Sequence, residues 1–178
     1  MLVLVIGPSG AGKDSLLDAA RGALADDPRF RFVRRVITRP AEAGGEAHEA
    51  VTDAEFTTRT FALAWQAHGL RYGIPADIAA DLAAGRVVVA NVSRGVIAVA
   101  AERFPVRVIE ITAPPEVLAA RLATRGRERA ADVAARLART VAIPEWIAVE
   151  TVMNDATVEA GTARFLAALS RAAEAARR

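Results

Sequence analysis

The sequence predicts an α/β protein with a parallel sheet that is covered by helices on both faces. Apolar runs alternate with helical patterns along the 178 residues, and several of these runs are continuous, as in strands buried on both faces. A glycine-rich turn directly follows the first run. A chain of this length normally forms one domain with its own core. We therefore expect a single domain over residues 1–178.

Local patterns assign the elements of the first half of the chain. Residues 2–6 are a continuous apolar run, and Asp26-Asp27-Pro28 end the helical pattern that follows it. The predicted elements are, in order, a strand (2–6), a helix (13–25), a strand (30–38), an irregular polar segment (39–52), a helix (53–68), a turn region (68–75) and a short helix (76–85).

The second half continues the alternation of strand and helix. The predicted elements are a strand (86–92), a helix (94–103), a strand (106–112), a helix from residue 114, an arginine-rich helix to residue 140, a strand (147–154) and a closing helix (157–176). Strands that are joined by helices require right-handed crossovers, and such crossovers produce a parallel sheet.

Composition excludes several classes of protein. The chain has no cysteine, which rules out disulfides, thiolate metal sites and a thiol nucleophile. Its apolar runs are far shorter than the roughly 18 residues of a membrane helix, and its start lacks the basic region of a signal peptide. The net charge of +2 is too small to indicate general nucleic-acid binding. We expect a cytoplasmic protein that binds small molecules, and a homodimer is compatible with the sequence.

The loop after the first strand has the pattern of a phosphate-binding loop. Residues 7–13 fit G-x-x-x-x-G-K, in which backbone N–H groups and the helix N-terminus hold phosphates. Lys13 is the one lysine among 23 basic residues, and an ammonium group is the compact charge that reaches terminal phosphates. We predict that Lys13 is catalytic and that the loop binds a nucleotide through Gly7, Pro8, Ser9, Gly10, Ala11, Gly12, Lys13, Asp14 and Ser15.

Asp14 occupies the place where this pattern normally has Ser or Thr. The usual hydroxyl binds Mg²⁺, and a carboxylate is also a hard oxygen ligand that suits Mg²⁺. Two hypotheses follow: Asp14 holds the metal, or it repels the phosphates and disables the site. We favour a metal ligand, because the rest of the loop is intact.

Arginines are concentrated in one segment of the second half. The segment contains Arg121, Arg125, Arg127, Arg129, Arg136 and Arg139. One interpretation is a solvated helix face on which arginines pair with Glu128 and Asp132. The other is a closing lid, since guanidinium groups stabilise the charge of a transferring phosphoryl group. Arg125 and Arg136 are the predicted catalytic residues of such a lid.

Candidate acceptor-binding residues lie between the second strand and the short helix. Arg39 comes directly after a predicted strand, where ligands bind in parallel sheets; the alternative is a surface ion pair with Glu42. Glu46 and His48 lie in a glycine-containing loop and carry groups that bond hydroxyls, although a single histidine is more often structural. Tyr72 is predicted to line the same pocket.

Motifs along nearly the whole chain resemble those of guanylate kinases. They are, in the same order, GPSGAGK at 7–13, TRP at 38–40, HGLRYGIP at 68–75, RLATRG at 121–126 and MND at 153–155. The resemblance implies a P-loop core, an acceptor-binding region at about 34–82 and a lid at about 121–142. It also implies Mg-ATP as the phosphoryl donor, Arg39 on an acceptor phosphate and Asn154 near the adenine.

The chain departs from the guanylate kinases on the acceptor side. The second arginine of their T-x-R-x-x-R motif is Glu42 here, and residues 48–50 lack the tyrosine that grips the acceptor phosphate. The strand that ends in aspartates in that family reads VVVANVSR here, so the predicted acceptor contacts are Asn91, Ser93 and Arg94. These departures argue against guanine as part of the acceptor.

The same departures, together with the sequence GKDS, resemble a branch of the superfamily that acts in phosphonate breakdown. This resemblance implies that ATP phosphorylates the 1-phosphate of ribose 1,5-bisphosphate, giving 5-phosphoribosyl 1-diphosphate and ADP. A nucleoside monophosphate kinase is the alternative enzyme. A non-catalytic binding module is the alternative outside enzymes, although such modules tend to lose the loop glycines and lysine that are intact here.

Overall fold

Two sheets and the helices around them form the fold. The computed structural model describes residues 1–41, 47–124 and 142–177. Within these residues the strands are β1 (Leu2–Ile6), β2 (Phe30–Phe32), β3 (Val36–Ile37), β4 (Glu49–Ala50), β5 (Phe61–Ala67), β6 (Leu70–Pro75), β7 (Val87–Asn91), β8 (Val106–Thr112) and β9 (Val149–Met153). The helices are α1 (Lys13–Ala23), α2 (Asp53–Thr58), α3 (Ile78–Ala83), α4 (Ile97–Arg103), α5 (Pro115–Thr124) and α6 (Val158–Ala175).

The larger sheet has the order β2-β7-β1-β8-β9. Its strands pair in parallel throughout, which confirms the predicted fold class. Because all five strands run the same way, the carboxyl ends of β1, β7 and β8 meet at one edge of the sheet. The loop that follows β1 lies at this edge, which is where parallel sheets bind ligands.

Each face of the larger sheet packs against its own core. Val3 and Val5 of β1 lie in the core that contains Leu16 of α1 and Phe165 of α6. Leu2, Leu4 and Ile6 of the same strand lie in the opposite core, with Ile78 of α3 and Ile97 of α4. All five residues of β1 are therefore buried, which accounts for the continuous apolar run at the start of the chain.

A second sheet, with the order β4-β3-β6-β5, lies beside the larger one. β3 pairs parallel with β4 and antiparallel with β6, and β5 and β6 form an antiparallel hairpin. The sequence patterns do not predict this sheet. It is formed by residues of the segment that the guanylate kinase resemblance assigns to the acceptor.

The single strand predicted over residues 30–38 is wrong. Residues 30–32 pair with β7 in the larger sheet, whereas residues 36 and 37 pair with β6 in the second sheet. The chain passes from one sheet to the other between them. Apolar side chains at both ends are buried, so the pattern looks continuous in the sequence although the pairing partner changes.

The helix predicted over residues 53–68 is also wrong beyond its first turns. A capping box between Thr52 and Glu55 starts α2, which ends at Thr58. His68 and Gly69 have φ values of 54° and 72°, as in a two-residue hairpin turn. The rest of the predicted turn region, residues 70–75, forms strand β6. A register shift between Phe61 and Leu63 disturbs the alternation that would have indicated a strand.

The other described elements agree with the predictions to within a few residues. They include the helices at 13–23, 78–83, 97–103 and 158–175. The arginine-rich helix predicted to residue 140 lies outside the described residues, apart from the start of the segment in α5. None of the described helices combines the length and the hydropathy that crossing a bilayer requires.

Candidate active site

The phosphate loop joins β1 to α1 and is shaped by its glycines. Gly10 and Gly12 have φ values of 84° and 82°, in the left-handed region that favours glycine. A Cβ atom at Gly7 would overlap the carbonyl oxygen of Ile111 in β8. The loop therefore packs directly against the neighbouring strand, and α1 begins at Lys13 with its N-terminus toward the loop.

Lys13 lies across the loop that it terminates. Its Nζ donates hydrogen bonds to the carbonyl oxygens of Gly7 and Pro8 at 2.8 and 3.0 Å. The ammonium group is thus held at the mouth of the loop, where the sequence places it. The same side chain lines the cleft beside the loop.

Asp14 faces the cleft from the first turn of α1. Asn91, the last residue of β7, donates from Nδ2 to Oδ1 of Asp14 at 3.5 Å, and both residues line the cleft. The next residue, Ser15, is exposed and lies outside the lining. The fold thus brings Asp14 and Asn91 together at the cleft, and the predicted role of Asp14 as a metal ligand stays a prediction.

The cleft has a volume of about 860 Å³ and lies at the carboxyl edge of the larger sheet. Its described lining contains four basic side chains and two carboxylates, namely Lys13, Arg35, Arg39, Arg94, Asp14 and Glu110. A cleft with an excess of positive charge attracts anionic ligands and concentrates them at the site. The lining therefore fits ligands that carry several phosphate groups.

Asn91, the last residue of β7, lines the cleft together with Ser93 and Arg94. Their predicted contact with the acceptor stays a prediction. Arg94 forms an ion pair with Glu110 of β8, which the sequence analysis missed. A signal for Glu110 exists: it is a carboxylate between two isoleucines near the carboxyl end of a strand, at the edge where ligands bind. The ion pair fixes the guanidinium of Arg94 at that edge.

Arg39 lines the cleft and is held by His48. Nε2 of His48 lies 3.1 Å from the carbonyl oxygen of Arg39 and donates to it, so Nδ1 accepts from Nη2 of Arg39, also at 3.1 Å. His48 itself is only 5% exposed and is not part of the described lining. The structure therefore favours a role for His48 in orienting Arg39 over the predicted contact with hydroxyl groups.

Tyr72 lines the cleft as predicted, within a stack of three side chains. Its ring lies parallel to that of Trp65, with centroids 5.4 Å apart. The guanidinium carbon of Arg35 lies 5.2 Å from the Tyr72 centroid, within the range of a cation–π contact. The sequence analysis missed Arg35, because no motif marks this residue, which directly precedes β3.

Close relatives cover almost the whole chain, although no protein-family model matches it. The chain is 57% identical over 170 residues to the ribose 1,5-bisphosphate phosphokinase PhnN of Acidiphilium cryptum, covering 96% of this chain and 92% of that protein. It is 49% identical to the protein of the same name from Brucella melitensis, over 92% of this chain and 88% of that protein. The chain belongs to the ribose 1,5-bisphosphate phosphokinase family.

The ribose 1,5-bisphosphate phosphokinase sequence also occurs within longer proteins. The chain is 51% identical to the bifunctional ribose 1,5-bisphosphokinase-thymidine phosphorylase of Azorhizobium caulinodans over 95% of this chain, but over only 25% of that protein. Among solved structures, guanylate kinase from Anaplasma phagocytophilum matches with a TM-score of 0.69 at 18% identity, covering 97% of this chain and 85% of that one. That likeness concerns the fold.

Three of the predicted site residues lie outside the described residues: Glu46, Arg125 and Arg136. The contacts of Glu42 lie outside them as well. Arg121, at the start of the arginine-rich segment, is described, and its Nη1 donates to the carbonyl oxygen of Gly10 at 3.4 Å. The arginine-rich segment therefore begins in contact with the phosphate loop.

Asn154 braces the phosphate loop through a buried hydrogen bond. It follows β9, is 4% exposed, and donates from Nδ2 to the carbonyl oxygen of Ala11 at 2.8 Å. Its amide fits between Gly12 and Gly161, where a Cβ atom on either glycine would overlap it. The predicted contact with adenine stays a prediction, and the observed contact is with the loop.

Replacing Asn154 with alanine is expected to lower the free energy of unfolding of this family member. The change leaves the buried carbonyl of Ala11 without this donor, which costs about 1–3 kcal/mol. Thermal unfolding should show a fall in Tm of about 2–4 °C for each kcal/mol. Asp155→Ala is the matched control, since it removes only an exposed ion pair with Arg164. Equal Tm values for the two variants would show that Asn154 is not a brace.

Proposed function

We propose that this chain transfers the γ-phosphoryl group of ATP to the 1-phosphate of ribose 1,5-bisphosphate, with 5-phosphoribosyl 1-diphosphate and ADP as products. The observation that carries the proposal is the 57% identity, over 96% of the chain, to a protein named for this kinase activity. The phosphate loop and the basic cleft beside it support the same reaction.

The phosphate loop is the donor site in this proposal. Backbone N–H groups of the loop and the N-terminus of α1 are suited to bind the phosphates of ATP. On binding, we expect Nζ of Lys13 to exchange the carbonyl oxygens of Gly7 and Pro8 for phosphate oxygens. The ammonium group would then offset the charge that develops as the γ-phosphoryl group leaves.

The residues near the loop fit a magnesium ion. Asp14 offers carboxylate oxygens to the cleft beside the amide of Asn91, and Mg²⁺ prefers oxygen ligands. The described part of the chain holds no group of three or more His, Cys, Asp or Glu side chains that could bind a metal. Asp14 would therefore share the ion with phosphate oxygens and water, as is usual for Mg²⁺. The bound ion would neutralise charge on the phosphoryl group.

The acceptor needs positioning more than activation. The attacking atom is a phosphate oxygen that is already ionised near neutral pH, so the reaction requires no general base. Catalysis then depends on holding two polyanions in line and on neutralising their charge. Lys13 acts on the donor in this scheme, and Arg39 and Arg94 supply positive charge on the acceptor side of the cleft.

Product analysis tests the proposed function directly. The purified chain is incubated with ATP, Mg²⁺ and ribose 1,5-bisphosphate, and the products are followed by phosphorus NMR. We expect a diphosphate on carbon 1 of the sugar to appear in step with ADP. The Lys13→Ala variant, purified in the same way, controls for contaminating kinases. Release of ADP without the sugar diphosphate would contradict the proposal.

The magnesium dependence of the rate tests the assignment of Asp14. If Asp14 is a ligand, Asp14→Ala should raise the Mg²⁺ concentration that gives half-maximal rate, because the ion loses a carboxylate. Asp14→Ser should restore part of the affinity, since a hydroxyl is the usual ligand at this position.

The rival hypothesis for Asp14 predicts a different result. If its carboxylate only repels phosphates, Asp14→Ala should lower KM for ATP and leave the magnesium dependence unchanged. Metal titrations of the wild type and both variants at saturating ATP separate the two hypotheses. Asp18→Ala is a suitable control, because it removes a carboxylate from the next turn of α1 whose observed partner is Arg21.

A further inference from the structure

We propose that Arg35 is a substrate-binding residue that, together with Arg39, binds the 5-phosphate of ribose 1,5-bisphosphate. The proposal rests on the proposed function, because that function supplies the ligand. It goes further by assigning a residue to the phosphate group that does not react. The sequence motifs do not mark Arg35, and the evidence for it is structural.

Both arginines line the same cleft, and the guanidinium group of each contacts a neighbouring ring. Arg35 lies over the ring of Tyr72, which is backed by Trp65. Arg39 donates to Nδ1 of His48, and Nε2 of the same ring donates to the carbonyl oxygen of Arg39. Rings that fix a guanidinium lower the entropy that is lost when it binds an anion.

The position of Arg35 explains how the cleft compensates for the change at residue 42. The chain has Glu42 where guanylate kinases have the second arginine of their acceptor motif. In the fold, Arg35 enters the cleft from the segment between β2 and β3, beside the backbone that leads to Arg39. A second guanidinium thus reaches the acceptor side from a different position in the sequence. Guanidinium forks match the geometry of phosphate oxygens.

The basic residues of the described cleft lining come from different parts of the fold. Lys13 and Asp14 belong to the donor phosphates and their metal, and Arg94 is paired with Glu110. Arg35 and Arg39 are the two other basic residues of the described lining. They flank β3 of the second sheet, whereas Lys13 and Asp14 come from the start of α1, beside the loop where the 1-phosphate must meet ATP. The 5-phosphate is the group that this pair would bind.

Binding of two sugar monophosphates tests the assignment without turnover. Ribose 5-phosphate and ribose 1-phosphate are titrated by calorimetry into the full chain and into Arg35→Ala, Arg35→Lys and Arg59→Ala. We expect Arg35→Ala to weaken ribose 5-phosphate binding roughly tenfold to a hundredfold, the usual effect of losing a charged hydrogen bond. Ribose 1-phosphate should change by less than about threefold, and Arg35→Lys should recover part of the loss.

Arg59→Ala is the matched control because Arg59 is in the same half of the chain and outside the lining. It makes an ion pair with Glu49, and an exposed pair of this kind contributes little. Equal weakening of both sugars in Arg35→Ala, selective weakening of ribose 1-phosphate, or absence of ribose 5-phosphate binding by the wild type would each overturn the proposal. The product assay decides separately whether the kinase reaction itself occurs.

Discussion

Replacing Lys13 with alanine is expected to lower kcat by about 10²-fold or more, because neutralising the transferring phosphoryl group is the main catalytic effect of such a site. The structure supports this expectation by placing Nζ over the loop carbonyls of Gly7 and Pro8 at 2.8 and 3.0 Å. The fold should tolerate the change, since Lys13 is not part of either core. Initial rates with saturating ATP and acceptor measure the effect, and circular dichroism checks that the variant is folded.

Lys13→Arg is the more informative of the two variants, because it changes the shape of the side chain and keeps its charge. It keeps the charge in a chain whose 22 other basic residues are all arginine, yet we expect a large loss of activity. The planar guanidinium is wider than an ammonium and cannot occupy the same place above a tightly curved loop. A fully active Lys13→Arg enzyme would show that the one lysine of the sequence is a matter of composition and not of catalysis.

The second large effect concerns the choice of acceptor. We expect kcat/KM for ribose 1,5-bisphosphate to exceed that for GMP by several orders of magnitude. Sites built to bind polar groups reject ligands that lack them by about 10⁴–10⁵. GMP carries one phosphate and a base, whereas the sugar bisphosphate carries a second phosphate, for which we propose Arg35 and Arg39 of the cleft lining. Initial rates with both acceptors at fixed Mg-ATP measure the ratio.

Arg39→Ala provides the mechanistic control for acceptor choice. It should raise KM for the sugar bisphosphate more than KM for ATP, because Arg39 lines the cleft outside the phosphate loop and is proposed to bind the acceptor. His48→Asn should retain more activity than His48→Ala, since its amide oxygen can accept the bond that Nδ1 now accepts from Arg39. If GMP is phosphorylated as efficiently as the sugar, the acceptor is a nucleotide and the monophosphate kinase alternative is correct.

The parts of the fold that were predictable are those specified by local signals. β1, the loop and α1 follow one another within residues 2–23, so a contiguous motif defines them. The hairpin of β5 and β6 was missed because one irregularity near Phe61 conceals its alternation. Its turn, His68-Gly69, was visible but lacked the flanking pattern that would have identified a hairpin.

Only part of the candidate site was predictable, because only some of its residues belong to local sequence motifs. Residues that belong to motifs, such as Lys13 and Arg39, could be named from the sequence. Glu110 and Arg35 belong to no motif and were missed, because their places in the cleft depend on strand neighbours that are distant in the chain. Only Glu110 carried a weaker signal, its place near the carboxyl end of a strand. For His48 the sequence analysis predicted a contact with hydroxyl groups, whereas the observed contact is with the Arg39 side chain nine residues away, which no local pattern specifies.

The brace formed by Asn154 has a consequence for the order in which the protein matures on the ribosome. The amide reaches back across 143 residues of sequence to the carbonyl of Ala11. Synthesis starts at the N-terminus, so the phosphate loop emerges long before the residue that fixes its shape. A nascent chain that stops short of β9 has the loop but not its support. Nucleotide binding should therefore appear late in translation, once the last strand has docked, and partly made chains should not bind ATP.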